Sequence, residues 1–598
     1  MRKLLFILFI VGAFSSCTKD ILDTKPYNSI SEGLMWESED LADQGVIGIY
    51  NALRESTTGG LNYATFDGLG FVNQYYKNGT DLGFVSGTVT PSHFLIIDSW
   101  KQHYEGIHRA NNAILNIPLK TEASEEKKSR LVAEAKFLRA YFYYRLNVLF
   151  HGVPLYTEPV DNAETIKPRS TVMEIWEQCI QDLTDCINEP SLPNNTIEGS
   201  LHGRASKGSA YALRGMVYMW MKEYAKAAED LEAVGTSGYS LYLGEWSNLF
   251  KPEYEKTNEM IFPLQYDEAA GFSSDIQQVV GGRSHYDGWT EAQPAPDYVD
   301  LHQWADGKPF NWDDVIPGYS SMPVNQREVF FLRDGLDKNS PVTVIQNAYN
   351  TVEKRIGAVT MAEHYLKDEN EARIKTAYEN RDPRLKKSVI TPYSTFTSWN
   401  PYWNSGQEHE GTMRWPLLGQ NAPYWDMWSD KRNLGFYIYK KFNAEGKGVY
   451  IARDRVYIDL PLIRYADVVL LLAEALNEGG DLEPSVTALN RVRTRAGMPA
   501  LTIGGGSPNG VTGKEDMRER IKYERRIELA LEGVNYFDEL RWGTWKEVKF
   551  YQGNGVKAYW GSIEQRYSWK GDYIWPWPIP AAEIQKNPNL VQNPGWIN

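Results

Sequence analysis

Cysteine is nearly missing from this chain: three residues in 598, at positions 17, 179 and 186. That excludes a disulfide framework, and no cysteine cluster has zinc-ligand spacing. Cys179 and Cys186 lie seven apart in "TVMEIWEQCIQDLTDCI", whose apolar spacing is helical. On a helix they share a face about 10.5 Å apart along the axis, too far for a bridge, so both are expected as buried thiols. Basic runs are missing as well. A formal net charge of −14 argues against nucleic acid, which needs a concentrated basic surface. After the first 16 residues no apolar run approaches the roughly 20 residues that span a bilayer as a helix.

Catalytic signatures are missing too. The chain has no H-E-x-x-H, no G-x-S-x-G, no P-loop and no G-x-G-x-x-G after a strand. "GVTGKED" resembles the end of a P-loop, but no Ser or Thr follows Lys514, and "TIGGGSPNG" reads as a turn. The nine histidines are scattered, and for His103 and His108, five apart on one helical stretch, a solvated or core-edge role is expected over a metal site. With 77 Asp and Glu, a paired-carboxylate glycosidase is the one enzyme class that sequence leaves open, and no fold supporting it is visible.

What is present begins at the N-terminus, "LLFILFIVGAFSSCTKDILDTKP". Arg2 and Lys3, an apolar stretch from Leu4 to Phe14, and Ser15 and Ser16 before Cys17 are the parts of an export signal. Two versions fit: an ordinary secretory signal, or a lipoprotein signal cut before Cys17, with acyl chains added to that cysteine. The second is favoured, since two or more chains on one residue give stable anchoring. Phe14 stands where lipoprotein signals usually have an aliphatic residue.

Helical periodicity then dominates. Trp100, Tyr104, Ile107, Ala110, Ile114 and Ile117 recur at steps of three and four, and "KSRLVAEAKFLRAYFYYRLNVLF" continues the pattern to Gly152 and Pro154. In "GSAYALRGMVYMWMKEYAKAAEDLEAV", the positions of Gly215, Tyr218, Tyr224, Ala227 and Leu231 carry tetratricopeptide offsets. "IRYADVVLLLAEALNE" and "SVTALNRVRTRAG" form a looser second copy, ended by Gly497. The expected fold is mainly α, a tetratricopeptide-like right-handed scaffold of about four helix pairs. It carries a large loop-rich region of irregular structure and short strands. Between Leu241 and about Asp459, helical runs become rare while Gly, Pro, Asn, Trp and Tyr crowd together. Such aromatic-rich segments are ordered loops, and long ordered loops usually carry function.

The aromatic surplus is large, with 20 Trp and 37 Tyr. Most are expected to seal the core, but those in Gly/Asn/Asp-rich stretches such as "QYYKNGTD" and "SHYDGWTE" suit a polar, flat-faced ligand. Sugar rings pack their C–H faces on aromatic rings while their hydroxyls need amides and carboxylates at the rim.

Several blocks are similar to those of the SusD/RagB family of outer-membrane nutrient-uptake lipoproteins, in the same order. They are "CTKDILDTKP", "WKQHYEGIHRANNAI", "AEAKFLRAYFYYRLNVLFHGVPL", "RDPRL", "IRYADVVLLLAEALNE", "ALNRVRTRAG", "ERRIELALEGVNYFDELRWG" and "WPIPAAEIQKNPNLVQNPGW". The resemblance covers nearly the whole chain from Cys17. It implies a signal peptide over 1–16, a helical region over 17–240, a variable ligand-binding region over 241–459 and a C-terminal helical region over 460–598. It further implies a lipid anchor on Cys17 in the outer membrane, exposure at the cell surface, and a SusC-type TonB-dependent transporter barrel as partner. The ligand would be a polysaccharide or oligosaccharide, bound and delivered but not cut.

The loops that hold ligand in this family place Tyr75, Tyr76, Asn78 and Asp81, then Tyr286, Trp289, Trp304 and Trp312, as candidate glycan contacts, with Trp289 the favoured stacking platform. Arg525, Arg526, Glu528, Glu532, Asp538 and Arg541 alternate in sign around an apolar face and are expected to pair in helix packing. No cofactor is expected; an Asp-rich loop could hold a structural calcium, which spacing does not read. Two rivals stand beside the glycan expectation: a repeat scaffold gripping peptides in its concave face, and a transporter lid for peptides or another nutrient.

Overall fold

The computed structural model describes residues 34–58, 62–76, 82–160, 165–283, 287–399, 407–429, 434–447 and 452–597. After α1 (Glu39–Asn51) come two long helices, α2 (Phe94–Lys120) and α3 (Glu125–Phe150). Ser124 caps α3 by accepting from the Lys127 N–H, with Glu125 and Glu126 in the first turn. Its other end turns left-handed at His151 (φ 53°), where Asn147 Oδ1 accepts from Gly152 N–H at 2.9 Å. The next helix, α4 (Val172–Asn188), starts at a reciprocal capping box between Thr171 and Glu174. Then follow α5 (Lys207–Met221) and α6 (Tyr224–Thr236). Each helix packs on the next from α2 to α6.

Small residues make this stacking close. A Cβ on Gly215 would lie 2.9 Å from the Leu231 side chain, so the two ends of the repeat motif meet directly. A Cβ on Gly106 in α2 would lie 2.3 Å from the Phe142 ring of α3. Phe142 is fully buried and cannot retreat. Gly106→Val is therefore expected to cost about 1–3 kcal/mol or more through overpacking, read as a lowered midpoint in denaturant. A midpoint equal to that of the parent would show that α2 and α3 do not approach as described. Cys179 and Cys186 sit buried on α4, their thiols donating to the Ala140 and Ala133 carbonyls of α3.

The scaffold is interrupted after α6 and resumes far along the chain. Strand β2 (Met260–Leu264) opens the insertion, and a later strand (Leu460–Arg464) closes it by pairing with β2 antiparallel. Both ends of the insertion thus leave from one largely buried two-stranded ribbon. Beyond it, a helix at Tyr465–Gly479 packs on α6, then on helices at Leu482–Arg495 and Lys514–Glu528, completing the stack. The short helix Ala581–Lys586 lies beside the segment that leads into α2, with Ala581 N–H donating to the Pro91 carbonyl.

The insertion is more helical than its texture suggested. A helix runs from Thr343 to Ile356, with Ile345, Ala348, Tyr349, Val352 and Ile356 at helical spacing against the core. Its stripe is narrow, and its outer face is polar enough to read as loop. Among the described residues no helix is long and apolar enough to cross a membrane.

One carboxylate pair lies where the insertion leaves the ribbon. Glu255 Oε1 accepts from Asp459 N–H at 2.7 Å, and Asp459 Oδ1 accepts from Tyr266 N–H at 2.7 Å. Burial, then repulsion by Asp459, raises the Glu255 carboxyl, and burial likewise raises Asp459. Raised carboxyls bind protons more tightly folded than unfolded. Their stabilising share is complete below the ordinary carboxylate range and is lost as pH rises through the raised values. Glu255→Gln should match the parent at about pH 5 and exceed it in denaturant resistance at about pH 9. Parallel pH profiles for the two proteins would show that the Glu255 carboxyl is not raised.

Candidate functional site

A cleft of about 710 Å³ opens between the insertion and the C-terminal segment. Three elements build it. Strand β1 (Asn73–Tyr75) pairs antiparallel with β3 (Ala292–Pro294), which runs straight into the short helix Pro296–Leu301. Opposite stands a hairpin of Gly555–Lys557 and Ile563–Arg566. The segment from Trp312 to Arg327 closes the third side. Gln74 ties the first two together, since its amide donates to the Lys557 carbonyl and accepts from the Lys557 N–H, both at 2.8 Å. Across the mouth, a Cβ on Gly561 would lie 3.6 Å from Val324.

Aromatic rings form the wall. Trp312 stacks on Tyr319 with centroids 4.7 Å apart and planes at 21°. Trp560 crosses Tyr559 edge-on at 5.0 Å and lies 5.1 Å from Trp415. All four lining rings are largely buried, Trp312 the least at 9% exposed, so they offer edges and part-faces to the cleft.

Polar groups form the rim. Asp300 Oδ2 accepts from the Trp312 indole N–H at 2.9 Å. Burial pushes the Asp300 carboxyl up to about 6, with the indole N–H opposing the shift. Lys557 Nζ sits 2.9 and 3.0 Å from the two Asp297 oxygens, one of which also accepts from the Tyr551 hydroxyl at 2.6 Å. Arg327 donates to the Met322 and Ser320 carbonyls at 3.0 and 2.8 Å, and its guanidinium lies 4.9 Å over the Tyr319 ring. Asn325, Ser562 and Arg566 complete the lining. Edges of aromatic rings beside amide, hydroxyl and charged groups can hold a polyhydroxylated ring by C–H contact and hydrogen bonds. No group of three His, Cys, Asp or Glu able to hold a metal is found among the described residues.

The residues expected from sequence are placed unevenly. Trp312 lines the cleft. Tyr75 is buried beside it, its hydroxyl donating to Glu291 Oε2 at 2.6 Å, and Tyr76 N–H donates to the Glu291 carbonyl at 2.8 Å. The Tyr76 ring meets Phe436 edge-on at 5.9 Å. Trp304 is half-buried, packed on Phe310 at 5.3 Å with Arg381 over its face at 5.6 Å. Trp289 is half-buried with the Arg453 guanidinium 5.6 Å over its ring, and is not among the residues lining the cleft. Asn78, Asp81, Tyr286 and Cys17 lie outside the described residues. Sequence reading missed Tyr319, Lys557, Trp560 and Arg566. The run "VKAYWGS", with aromatics and a glycine after a short strand, was the available signal.

The charged residues read as helix packing are paired throughout. Arg525 meets Asp538 and Asp467, Arg526 meets Glu539, Arg541 meets Glu474 and Asp538, and Glu528 and Glu532 both meet Arg464. They lie in helix packing, away from the cleft.

Residues 258–596 match the profile described as the SusD family, and residues 20–219 match a second, described as starch-binding and associating with the outer membrane. The chain is 24% identical to SusD-like protein P38 of Formosa agariphila, over 98% of this chain and 97% of that one. Its backbone resembles a SusD-like protein of Bacteroides fragilis with a TM-score of 0.71 at 23% identity, covering 95% of this chain and 99% of the other. A SusD-like carbohydrate-binding protein of the same species superimposes with a TM-score of 0.69, also at 23% identity, over 93% and 100%.

Proposed function

We propose that this chain, which belongs to the SusD family by a match over residues 258–596, is a cell-surface lipoprotein that binds a polysaccharide or oligosaccharide. It delivers that glycan to a SusC-type TonB-dependent transporter barrel in the outer membrane. Cys17 carries the acyl chains, and the protein performs no chemistry on its ligand and needs no cofactor. The observation that carries this is the cleft itself: an opening of about 710 Å³ with an aromatic wall and a polar rim. The second profile's starch-binding, outer-membrane description supports the same ligand class and location.

Within that proposal Trp312, with Tyr319 and Trp560, forms the contact wall, and Asp300, Asn325 and Ser562 meet hydroxyls. Tyr75 and Tyr76 support the cleft from β1, while Asn78, Asp81, Tyr286, Trp289 and Trp304 are candidates for a longer chain extending from it. The test is native gel electrophoresis of the mature chain in gels loaded with single plant, fungal and host polysaccharides. Retardation by one polymer class is expected, with peptides ineffective as competitors. Retardation by none of them, with binding of peptides instead, would replace the glycan with a peptide cargo.

A further inference from the structure

The cleft's charge runs against that of the protein. The chain carries 77 acidic and 63 basic side chains, yet the cleft is lined by three cations, Arg327, Lys557 and Arg566, against two carboxylates, Asp297 and Asp300. Asp297 is neutralised by Lys557, and Asp300 is engaged by the Trp312 indole. Arg327 and Arg566 are left over. Among the described residues neither forms an ion pair: Arg327 is held only by carbonyl oxygens and the Tyr319 face, and Arg566 is exposed at the end of its strand. Asp313 feels the charge of Arg327 without pairing to it, and Glu564, two residues before Arg566, is outside the lining. Arg327 matters most, because its two carbonyl contacts and the ring beneath fix the plane of the fork at the cleft. A fixed guanidinium fork with no carboxylate of its own is suited to a planar or tetrahedral oxyanion.

We propose that the cleft selects a glycan bearing anionic groups, a carboxylate or a sulfate ester, through Arg327 and Arg566. This rests on the glycan-binding function above and names the substrate class within it. The neutral parts of the chain lie along the aromatic wall, and the anionic substituent faces the two arginines at the rim.

Matched polymers test it. The mature protein is titrated calorimetrically with polygalacturonate and its fully methyl-esterified form, and with a sulfated galactan and its desulfated form. The acidic member of one pair is expected to bind at least roughly 10-fold tighter, with an affinity that falls as salt rises, because the partners are partly solvated. Which pair responds distinguishes carboxylate from sulfate. Arg566→Gln should weaken that acidic polymer by roughly 3–10-fold, a larger loss than for the neutral member, and Arg566→Lys should restore part of it. Arg566 is chosen because its side chain packs against little, whereas Arg327→Gln also releases two loop carbonyls. Equal binding of both members of each pair, or an Arg566→Gln variant that binds the acidic polymer as the parent does, overturns the anionic preference and leaves glycan binding intact. Binding of no member, with neutral starch and laminarin also inert, overturns the glycan function itself.

Discussion

Glu528→Ala is expected to cost about 3–5 kcal/mol of stability. One buried carboxylate gathers groups from four separate segments. Its Oε1 accepts from Trp246 Nε1 at 2.8 Å, from Arg464 at 2.8 Å and from Arg495 at 2.6 Å, while Oε2 accepts from Arg384 at 3.0 Å. Trp246 lies between α6 and β2, Arg384 in the insertion, Arg464 in the ribbon that closes it, and Arg495 in the C-terminal helices. Removing the carboxylate leaves three nearly inaccessible guanidiniums each short of one anionic partner. Asp382, Glu524, Glu259 and Glu532 still pair with parts of the cluster, which keeps the loss finite.

The pH dependence follows from the same contacts. Burial alone would raise the Glu528 carboxyl, but Arg495, Arg464 and Arg384 overcome it and hold the group well below the usual carboxylate range. A depressed carboxyl contributes stability that is complete above its unfolded value, about 4.3, and is lost as pH falls toward the folded value. The gap between parent and Glu528→Ala should be widest at neutral pH and narrow in acid. Unfolding entropy of about 2 cal/mol/K per residue makes the thermal shift only roughly 3–4 °C for a chain this long, so denaturant titration is the better measurement. Glu528→Gln should be nearly as damaging, because an amide supplies no charge and presents donors to donors. A Glu528→Ala protein as resistant to denaturant as its parent would mean that the insertion is held by packing alone.

The second large effect is on binding. Trp312→Ala should weaken the glycan by about 30-fold or more, the scale of an aromatic anchor worth roughly 2 kcal/mol. The indole is hemmed by Tyr319, Phe310, Phe331 and Tyr378 and donates to Asp300, so truncation also opens the wall and orphans a carboxylate. Some loss of stability will accompany it, as for any large aromatic removed from packing. Trp312→Phe separates the two contributions: it keeps a ring in the wall but removes the indole donor, and should retain most of the stability with an intermediate affinity. Trp289→Ala is the informative companion, since that residue was favoured from sequence and stands outside the cleft lining. If Trp289→Ala abolishes retardation while Trp312→Ala leaves it unchanged, the ligand lies along the Trp289 loop and the cleft is not the site.

What the sequence by itself determined was whatever repeats locally. Steps of three and four placed the long helices, the small residue at Gly215 made room for its partner helix, and alternating charges at Arg525, Glu528, Glu532 and Arg541 announced paired packing. A helix writes its buried face into nearby positions, so the pattern survives without knowledge of the partner. The cleft had no such record. Trp312 and Trp560 come to one wall because a ribbon at β2 returns the chain to the stack and Gln74 fastens β1 to a hairpin from the far end of the sequence. The insertion's aromatic residues were visible, but which of them meet was not. Irregular backbone satisfies its hydrogen bonds with whatever lies across from it, and that neighbour is chosen only when the whole chain has folded.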